Sequence, residues 1–282
     1  MNLTPAIYRR IATLAGALAL VMATAGIMLL HGGYNVAATA PHTAPVFALL
    51  DYASRRSIAV RARFVVVPPV PADVALGRGL AIYRDHCVQC HGAPGIAPDP
   101  FALGLSPAAA NLALVARERK PAEVYWTVRY GLKMTAMPAW EFRFSEADLW
   151  AVTAFVGYLA ELSPEAYRDV AARVPAPRPT TPSADPGKSP PDPRRGEMAL
   201  HQYACITCHE IPGIVGADHP VGPSLAGIAV RRYIAGTLPN TPANLVAWIR
   251  SPGTIKPGTA MPDLQVSERD ATDVAAFLSG LR

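Results

Sequence analysis

The sequence has no cysteine outside two Cys-x-x-Cys-His motifs, and it has little charge. Its four cysteines form the pairs Cys87/Cys90 and Cys205/Cys208, and a histidine follows each pair at once. No cysteine is therefore left over for a structural disulfide. Charged residues make up only 17% of the 282 residues, whereas apolar residues make up 51%. Disorder of the whole chain is excluded, because this composition supplies enough apolar surface for folded cores.

Neither of the two segments that contain the cysteine motifs has a marked excess of basic residues. Positions 74–162 contain eight basic and eight acidic residues, and positions 193–282 contain eight and seven. The net charge of +5 arises mostly within positions 1–73, with six basic and two acidic residues. A nucleic-acid-binding protein concentrates Lys and Arg on its folded domain. The charge distribution therefore predicts no nucleic-acid partner.

Positions 11–30 contain no charged residue at all. These 20 residues are enough to cross the ~30 Å hydrocarbon layer as a helix. Arg9 and Arg10 precede them without an acidic neighbour, which predicts that residues 1–10 lie in the cytoplasm of a bacterium. We expect residues 11–30 to be an anchor in the cytoplasmic membrane, with the rest of the chain in the periplasm. The alternative is a signal peptide cleaved near the small residues 38–40.

Two segments have the composition of connectors. In residues 31–73, arginines at 55, 56, 61 and 63 interrupt an apolar background. This pattern suits either a helix at the lipid surface or a connecting segment packed on the following domain. Residues 163–193 contain nine prolines, which predicts an extended, semi-rigid spacer. The chain is thus divided into a connector at 31–73, a domain at 74–162, a linker at 163–192 and a domain at 193–282.

The two predicted domains repeat one plan. Each opens with a short helical run into its cysteine motif and continues through a loop-rich stretch to a helix that begins at proline and carries Trp126 or Trp248. Each closes on an amphipathic helix with a serine N-cap and an acidic residue three positions later. These pairs are Ser145 with Asp148 and Ser267 with Asp270. The repetition predicts a duplicated all-α domain.

The cysteine motifs carry the chemistry. Two thiols three residues apart can add across the two vinyl groups of one haem, and the histidine after the second cysteine can bind the iron, so the motif is the attachment signature of c-type haem. A single copy would also suit zinc or thiol redox chemistry. Two copies in duplicated helical domains predict two covalently bound haem c groups. Their attachment residues are Cys87, Cys90, His91, Cys205, Cys208 and His209.

A second axial ligand distinguishes an electron carrier from a catalyst, because His/Met ligation leaves no open position on the iron. Both domains contain Thr-Ala-Met-Pro, which selects Met137 and Met261, 46 and 52 residues beyond His91 and His209. We therefore predict His91 with Met137 and His209 with Met261 as the iron ligands. Met134 is assigned to packing beside its loop. The rival ligands are His86, His201 and His219.

With these motifs, both domains resemble class I cytochromes c. The resemblance implies that an N-terminal helix with a glycine and an aromatic residue crosses the C-terminal helix closely. Gly79 and Tyr83 fit this pattern in the first domain, whereas Gly196 and Tyr203 fit it with a shifted spacing in the second. The resemblance also implies that a proline carbonyl contacts the axial histidine. The candidates for this contact are Pro223 and, as a weaker match, Pro107.

The second domain contains RRYIAGTLPNTPANLVAWIRSPGTIKPGTAMPDL, which resembles cytochrome c domains associated with subunit II of haem-copper oxidases. The first domain, with YRDHCVQCHGAPG and GLKMTAMPAW, is similar to cytochromes that serve periplasmic dehydrogenases and oxidases. The resemblance implies a membrane-anchored carrier that exchanges electrons with respiratory-chain redox proteins and passes them to a terminal oxidase. The alternatives are the electron-accepting subunit of a periplasmic dehydrogenase, a dihaem cytochrome c peroxidase and a zinc-binding module.

Overall fold

The computed structural model describes residues 4–175 and 190–282. Helices dominate both ranges, which confirms the predicted all-α fold. The β-structure assigned to named strands in these ranges is one antiparallel pair, β1 (Tyr233–Ile234) and β2 (Leu238–Pro239).

The N-terminal helix α1 spans Pro5–Leu30, and none of its residues is buried. Its mean hydropathy is 2.1 over the most apolar window. At 1.5 Å per residue, its 26 residues extend about 39 Å, which exceeds the ~30 Å hydrocarbon layer. The helix therefore includes the predicted span at 11–30 and continues N-terminally through Arg9 and Arg10. It is long and apolar enough to cross a membrane.

Helix α2 (Ala44–Ala62) occupies much of the connector. Its C-terminal half packs on the first domain, where Ile58 and Ala62 are buried and the helix contacts α7 (Pro121–Tyr130). Its N-terminal half leaves Phe47 and Tyr52 exposed. Of the two alternatives for this segment, packing on the first domain therefore holds for its C-terminal half.

The first domain is a set of short helices around one apolar core. After α2 the chain forms α3 (Ala72–Val74), a π-helical turn (Ala75–Gly79), α4 (Leu80–His86), α5 (Val88–His91), a 3₁₀ turn (Pro100–Gly104), α6 (Leu112–Glu118), α7, α8 (Glu146–Tyr158) and α9 (Pro164–Arg173). The predicted serine cap is confirmed, because Ser145 Oγ accepts a hydrogen bond from the Asp148 amide at 3.2 Å.

Gly79 allows the N-terminal segment to cross α8 closely, as the resemblance implies. A Cβ atom at position 79 would overlap the carbonyl oxygen of Ala151 and lie 2.9 Å from the Phe155 Cβ atom. Four residues later, the Tyr83 ring packs on the Phe155 ring with centroids 5.3 Å apart. Glycine at position 79 is thus required by the backbone of the opposing helix.

We expect Gly79→Ala to lower the free energy of unfolding of the first domain by about 1–3 kcal/mol, because the added methyl group overpacks the crossing. The control is Gly157→Ala on the exposed side of α8, where an added Cβ meets nothing within 4 Å. That change should stabilise the domain by about 0.5–1 kcal/mol, since alanine favours the helix over glycine. Denaturant unfolding of both variants measures the difference, and equal stabilities would contradict the close crossing.

The spacer predicted over 163–193 is wrong for its first part. Residues Pro164–Arg173 form α9, in which Ser163 Oγ caps the Ala166 amide at 3.1 Å. Tyr167 is 1% exposed in the core of the first domain. Pro164 stands at the first helical position, where proline is tolerated, and the other eight prolines of the predicted spacer begin only at Pro175. Positions 176–189 of the predicted spacer lie outside the described residues.

The second domain repeats the plan with a separate apolar core. Its elements are α10 (Pro193–Gln202), 3₁₀ turns at Cys205–Thr207 and Ile228–Val230, the strands β1 and β2, α11 (Pro242–Arg250), α12 (Pro252–Ile255) and α13 (Glu268–Leu278). A Cβ atom at Gly196 would overlap the Asp273 carbonyl oxygen of α13. The close crossing implied by the resemblance is therefore present in this domain too, despite the shifted spacing.

A buried ionic network joins α10 to α13. Asp273 is fully buried, and its carboxylate accepts hydrogen bonds from Arg195 Nε at 3.0 Å and Arg269 Nε at 3.1 Å. Asp270 accepts from Arg195 Nη2 at 3.1 Å and from the Tyr203 hydroxyl at 2.8 Å. Because both buried carboxylates are paired and hydrogen-bonded, the desolvation cost of their charge is offset. The network fixes the orientation of α10, which leads directly into the second cysteine motif.

Candidate haem-binding sites

The first cysteine motif forms one compact helical turn. The amide of His91 donates to the Cys87 carbonyl at 2.9 Å, and α5 then ends at Gly92. Residues at i, i+3 and i+4 lie on one face of a helix, so Cys87, Cys90 and His91 share a face. The Tyr83 hydroxyl donates to the Gly92 carbonyl at 2.6 Å, which ties the end of the motif to the core of the domain.

The second motif has the same local hydrogen bonding. The amides of Cys208 and His209 donate to the Cys205 carbonyl at 3.2 and 3.0 Å. The amide of Gly222 donates to the Cys208 carbonyl at 2.7 Å, which holds the following loop against the motif. The turn therefore places Cys205, Cys208 and His209 in the arrangement that the first motif shows.

His209 contacts the carbonyl that the resemblance implies. Its Nδ1 atom lies 2.8 Å from the Pro223 carbonyl oxygen. A carbonyl oxygen only accepts, so Nδ1 carries the proton and the lone pair lies on Nε2. Such a contact fixes the tautomer and the ring orientation of a metal-binding histidine. The expectation for Pro223 is confirmed as a contact.

The contact in the first domain differs from the expectation. His91 Nδ1 lies 2.7 Å from the carbonyl oxygen of Ala110, not of Pro107. The contact uses only a backbone oxygen, which any residue type can supply, so proline is not required at this position. Burial lowers the pKa of His91, and the Ala110 hydrogen bond only partly offsets this. The imidazole is therefore neutral near pH 7, the form that binds a metal.

Gly222 gives the His209 ring its space, a role that the sequence did not reveal. A Cβ atom at position 222 would lie 2.8 Å from Nδ1 and 3.1 Å from Nε2 of His209. Because these atoms belong to a ring held by Pro223, the ring has to leave its position when a side chain is added.

We expect Gly222→Ala to turn part of the haem in the second domain to a high-spin form, because the displaced imidazole binds iron poorly. The absorption spectrum of the oxidised protein measures the high-spin fraction. Gly253→Ala is the matched control in the same domain, since an added Cβ there meets nothing within 4 Å. A purely low-spin spectrum for Gly222→Ala would show that Gly222 does not hold the ring space.

The two Thr-Ala-Met-Pro loops have the same turn. The amide of Met137 donates to Thr135 Oγ1 at 3.1 Å, and the amide of Met261 donates to Thr259 Oγ1 at 3.3 Å. Both methionines are half-buried. In the first domain, a Cβ at Gly131 would lie 2.8 Å from the Met137 carbonyl oxygen, so glycine is needed where α7 passes into this loop.

Met134 does not pack beside its loop as predicted, because its side chain is 95% exposed. Its backbone has a φ of 61°. The rival histidines also have other surroundings. His86 packs edge-on against Trp140 and Phe144, with ring centroids 5.5 and 5.1 Å away. His201 and His219 are exposed. The half-buried Met137 therefore fits a ligand role better than Met134.

Cys87 and Cys205 do not fit thiol redox chemistry, and the two cysteine pairs do not form one zinc site. Burial raises the pKa of Cys87 to about 12 and that of Cys205 to about 11, whereas reactive thiols have a lowered pKa. Across residues 4–175 and 190–282, no three His, Cys, Asp or Glu side chains converge to hold a metal ion. The two cysteine pairs therefore form no tetrathiolate site. The paired cysteines, the oriented imidazoles and the methionine turns fit haem c.

Comparisons with known families agree with this arrangement. Residues 74–156 match the family described as cytochrome c oxidase, cbb3-type, subunit III, and residues 194–282 match the cytochrome c family. Together, these matches show two class I cytochrome c domains in one chain. The protein is thus a dihaem cytochrome c, whose domains bind haem and transfer electrons.

Similar curated proteins carry the name cytochrome c oxidase subunit 2. That of Alkalihalophilus pseudofirmus is 36% identical over 89 residues, 31% of this chain and 25% of the relative. That of Bacillus subtilis is 32% identical over 95 residues, 32% of this chain and 26% of the relative. The matches thus span about a quarter of the length of these relatives.

Among solved structures, the Kuenenia stuttgartiensis reducing HAO-like protein complex Kustc0457/Kustc0458 matches at 20% identity and a TM-score of 0.27. The match covers 77% of this chain and 99% of that chain. So low a TM-score carries no argument about fold or function.

Proposed function

We propose that this chain is a membrane-anchored dihaem cytochrome c that accepts an electron at one haem and passes it through the other to a haem-copper terminal oxidase in the periplasm. One observation carries the proposal. In both domains, a helical Cys-x-x-Cys-His turn presents a histidine whose Nδ1 is bonded to a backbone carbonyl, and a half-buried methionine turn follows it.

Each residue has a distinct task in the proposed sites. Cys87 and Cys90 attach one haem through thioether bonds, as Cys205 and Cys208 attach the other. When bound, each haem supplies a one-electron couple. The carbonyls of Ala110 and Pro223 hold the histidine tautomers that leave Nε2 free for iron, and they strengthen its donation. Met137 and Met261 would supply the second ligand of each iron, and a methionine ligand would raise the potential and exclude small ligands. The chain is therefore a carrier rather than a peroxidase.

An oxidase as acceptor is supported by the names of the similar proteins. The family matched over 74–156 is an oxidase subunit III, and the curated relatives are oxidase subunits 2. These names favour an oxidase over a dehydrogenase as the partner. The proposed location is supported by helix α1, whose apolar length suits an anchor, and by Arg9 and Arg10 on its N-terminal side.

The proposed location predicts that the full-length protein stays with membranes after a high-salt wash, because screening does not displace a spanning helix. Protease added to spheroplasts should digest both haem domains. Immunoblots and haem staining of the fractions measure both results. Recovery in the soluble periplasm with a new N-terminus near residue 41 would show that α1 is a signal peptide, and protection from protease would contradict the periplasmic orientation.

The proposed acceptor is tested in the same spheroplasts. The measured quantity is the intensity of the absorption band of the reduced cytochrome. Oxygen should oxidise the cytochrome rapidly, and cyanide, which binds haem-copper oxidases, should keep it reduced. Rapid oxidation of the purified, reduced protein by hydrogen peroxide would favour the peroxidase alternative. An oxygen response that persists with cyanide would contradict a haem-copper oxidase as acceptor.

A further inference from the structure

One short segment of the first domain reaches the second domain. This segment, residues 140–144, is called here the junction loop and lies between the Met137 turn and α8. It is fixed to the end of α7, because the amides of Trp140 and Glu141 donate to the Arg129 carbonyl at 3.1 and 3.0 Å. The Glu141 carboxylate also accepts from Arg129 Nη2 at 2.8 Å. The loop is therefore part of the rigid first domain.

Two arginine–aromatic contacts cross between the domains, and they are reciprocal. The guanidinium carbon of Arg143, in the junction loop, lies 4.2 Å from the ring centroid of Tyr203 in the second domain. The guanidinium carbon of Arg195, in α10, lies 4.9 Å from the ring centroid of Phe142. Both distances are within the range of a cation–π attraction. Phe142 is only 5% exposed, so its ring is covered rather than left on a free surface.

In the second domain, hydrogen bonds hold the two residues of the contact, Arg195 and Tyr203, in place. Asp270 binds both partners, because it accepts from Arg195 at 3.1 Å and from the Tyr203 hydroxyl at 2.8 Å. Arg195 is held a second time by the buried Asp273 at 3.0 Å. The arginine and the ring therefore keep their positions without the first domain, and docking requires little ordering of side chains.

The junction lies next to both cysteine motifs. On one side, Trp140 and Phe144 of the junction loop pack against His86, which directly precedes Cys87. On the other side, Tyr203 precedes Cys205 by two residues. The contact between the domains thus joins the segments that carry the two proposed haem attachment sites.

We propose that the reciprocal contacts Arg143–Tyr203 and Arg195–Phe142 dock the two cytochrome domains in one arrangement and so position their haems for electron exchange. The proposal rests on the proposed function for its electron-transfer part. In that exchange one electron leaves a ferrous iron and reduces the ferric iron of the other haem, and no bond or proton is transferred. The four residues are positioning residues, since they set the relation between the domains.

The distance between the domains tests the docking without any electron transfer. Under the proposed function all four native cysteines of the holoprotein are attached to haem, so cysteines introduced at the exposed positions Leu114 (L114C) and Val230 (V230C) are the sole free thiols. Gadolinium spin labels on these thiols report the distance by pulsed electron resonance. We expect one narrow distance distribution in the doubly labelled protein and a broad one after Phe142→Ala or Arg143→Ala.

Matched variants separate docking from general effects on charge or packing. Arg143→Lys keeps the cation and should keep a narrow distribution. Arg63→Ala removes a guanidinium that lies 4.4 Å from the Phe64 ring centroid within the connector, and it should change nothing. Arg143→Ala leaves the core of the first domain intact, which covers the case that Phe142→Ala fails to fold.

Electron exchange between the haems is measured in the same variants by partial reduction with a rapid electron donor. Loss of one cation–π contact lowers the ratio of docked to undocked molecules by about tenfold. A ratio of about ten to one then falls to about one to one, so the fraction of molecules with fast exchange should fall about twofold, with both potentials unchanged. A broad distribution in the unmutated protein, or a narrow one in both alanine variants, would overturn the docking. A narrow distance distribution together with an unchanged exchange rate in Arg143→Ala would also overturn the docking. Labelling of more than two thiols would instead contradict covalent haem attachment. The four native cysteines are then replaced by serine, and the distance between the two remaining labels still tests the junction.

Discussion

Replacing Cys87 and Cys90 by alanine is expected to yield a protein with one haem instead of two. Each domain folds around its own apolar core, one built from residues of the first domain and the other from residues of the second. Loss of haem attachment in one domain therefore leaves the haem attachment site of the other domain intact. Haem content per chain, measured from the pyridine haemochrome spectrum and from the mass of the intact protein, reports the result.

The reciprocal variant, Cys205→Ala with Cys208→Ala, is the matched control and should also retain one haem. Digestion between the domains should then give one haem peptide, from the unmutated motif in each case. Loss of both haems from either double variant would contradict the independence of the two domains. Retention of both would show that the motifs do not attach haem.

Replacing Met137 or Met261 by alanine is expected to open one iron to small ligands. Carbon monoxide should then bind one haem of the reduced protein, whereas it should bind neither haem before the change. Replacement by histidine should instead lower the potential of that haem, because a methionine ligand raises the potential. The carbon monoxide difference spectrum and a redox titration measure the two effects. The weak sulfur-to-iron absorption band of the oxidised protein should be lost for the haem concerned.

Met134→Ala is the control for the first domain, because this exposed side chain lies three positions from Met137 in the same segment. It should leave the sulfur-to-iron band, the potential and the lack of carbon monoxide binding unchanged. If Met134→Ala abolishes the band of the first domain while Met137→Ala preserves it, Met134 is the ligand.

Local features were predictable from the sequence where one residue type is needed for one physical reason. Ser145 and Ser267 cap their helices as predicted, because few side chains can accept from a free helical amide. Gly79 and Gly196 lie at helix crossings that admit no Cβ atom. Such positions can be recognised from the sequence, because only one or a few residue types satisfy them.

Contacts made by the backbone, or between distant segments, could not be predicted from the sequence. The carbonyl of Ala110 supports His91, and a carbonyl carries no residue identity. Helix α9 was hidden by the prolines that follow it, although Tyr167 packs in the core of the first domain. The pairing of Arg143 with Tyr203 depends on how the two domains meet, which no local pattern encodes.

The central claim is that both haem irons are six-coordinate and serve as electron carriers. Its most direct test is the carbon monoxide difference spectrum of the unmutated, fully reduced protein with two haems per chain. The arrangement of His91 with Met137 and of His209 with Met261 predicts that neither haem binds carbon monoxide and that both are low-spin when oxidised. Binding of carbon monoxide at one haem would contradict the claim, because that iron would have an open position suited to catalysis.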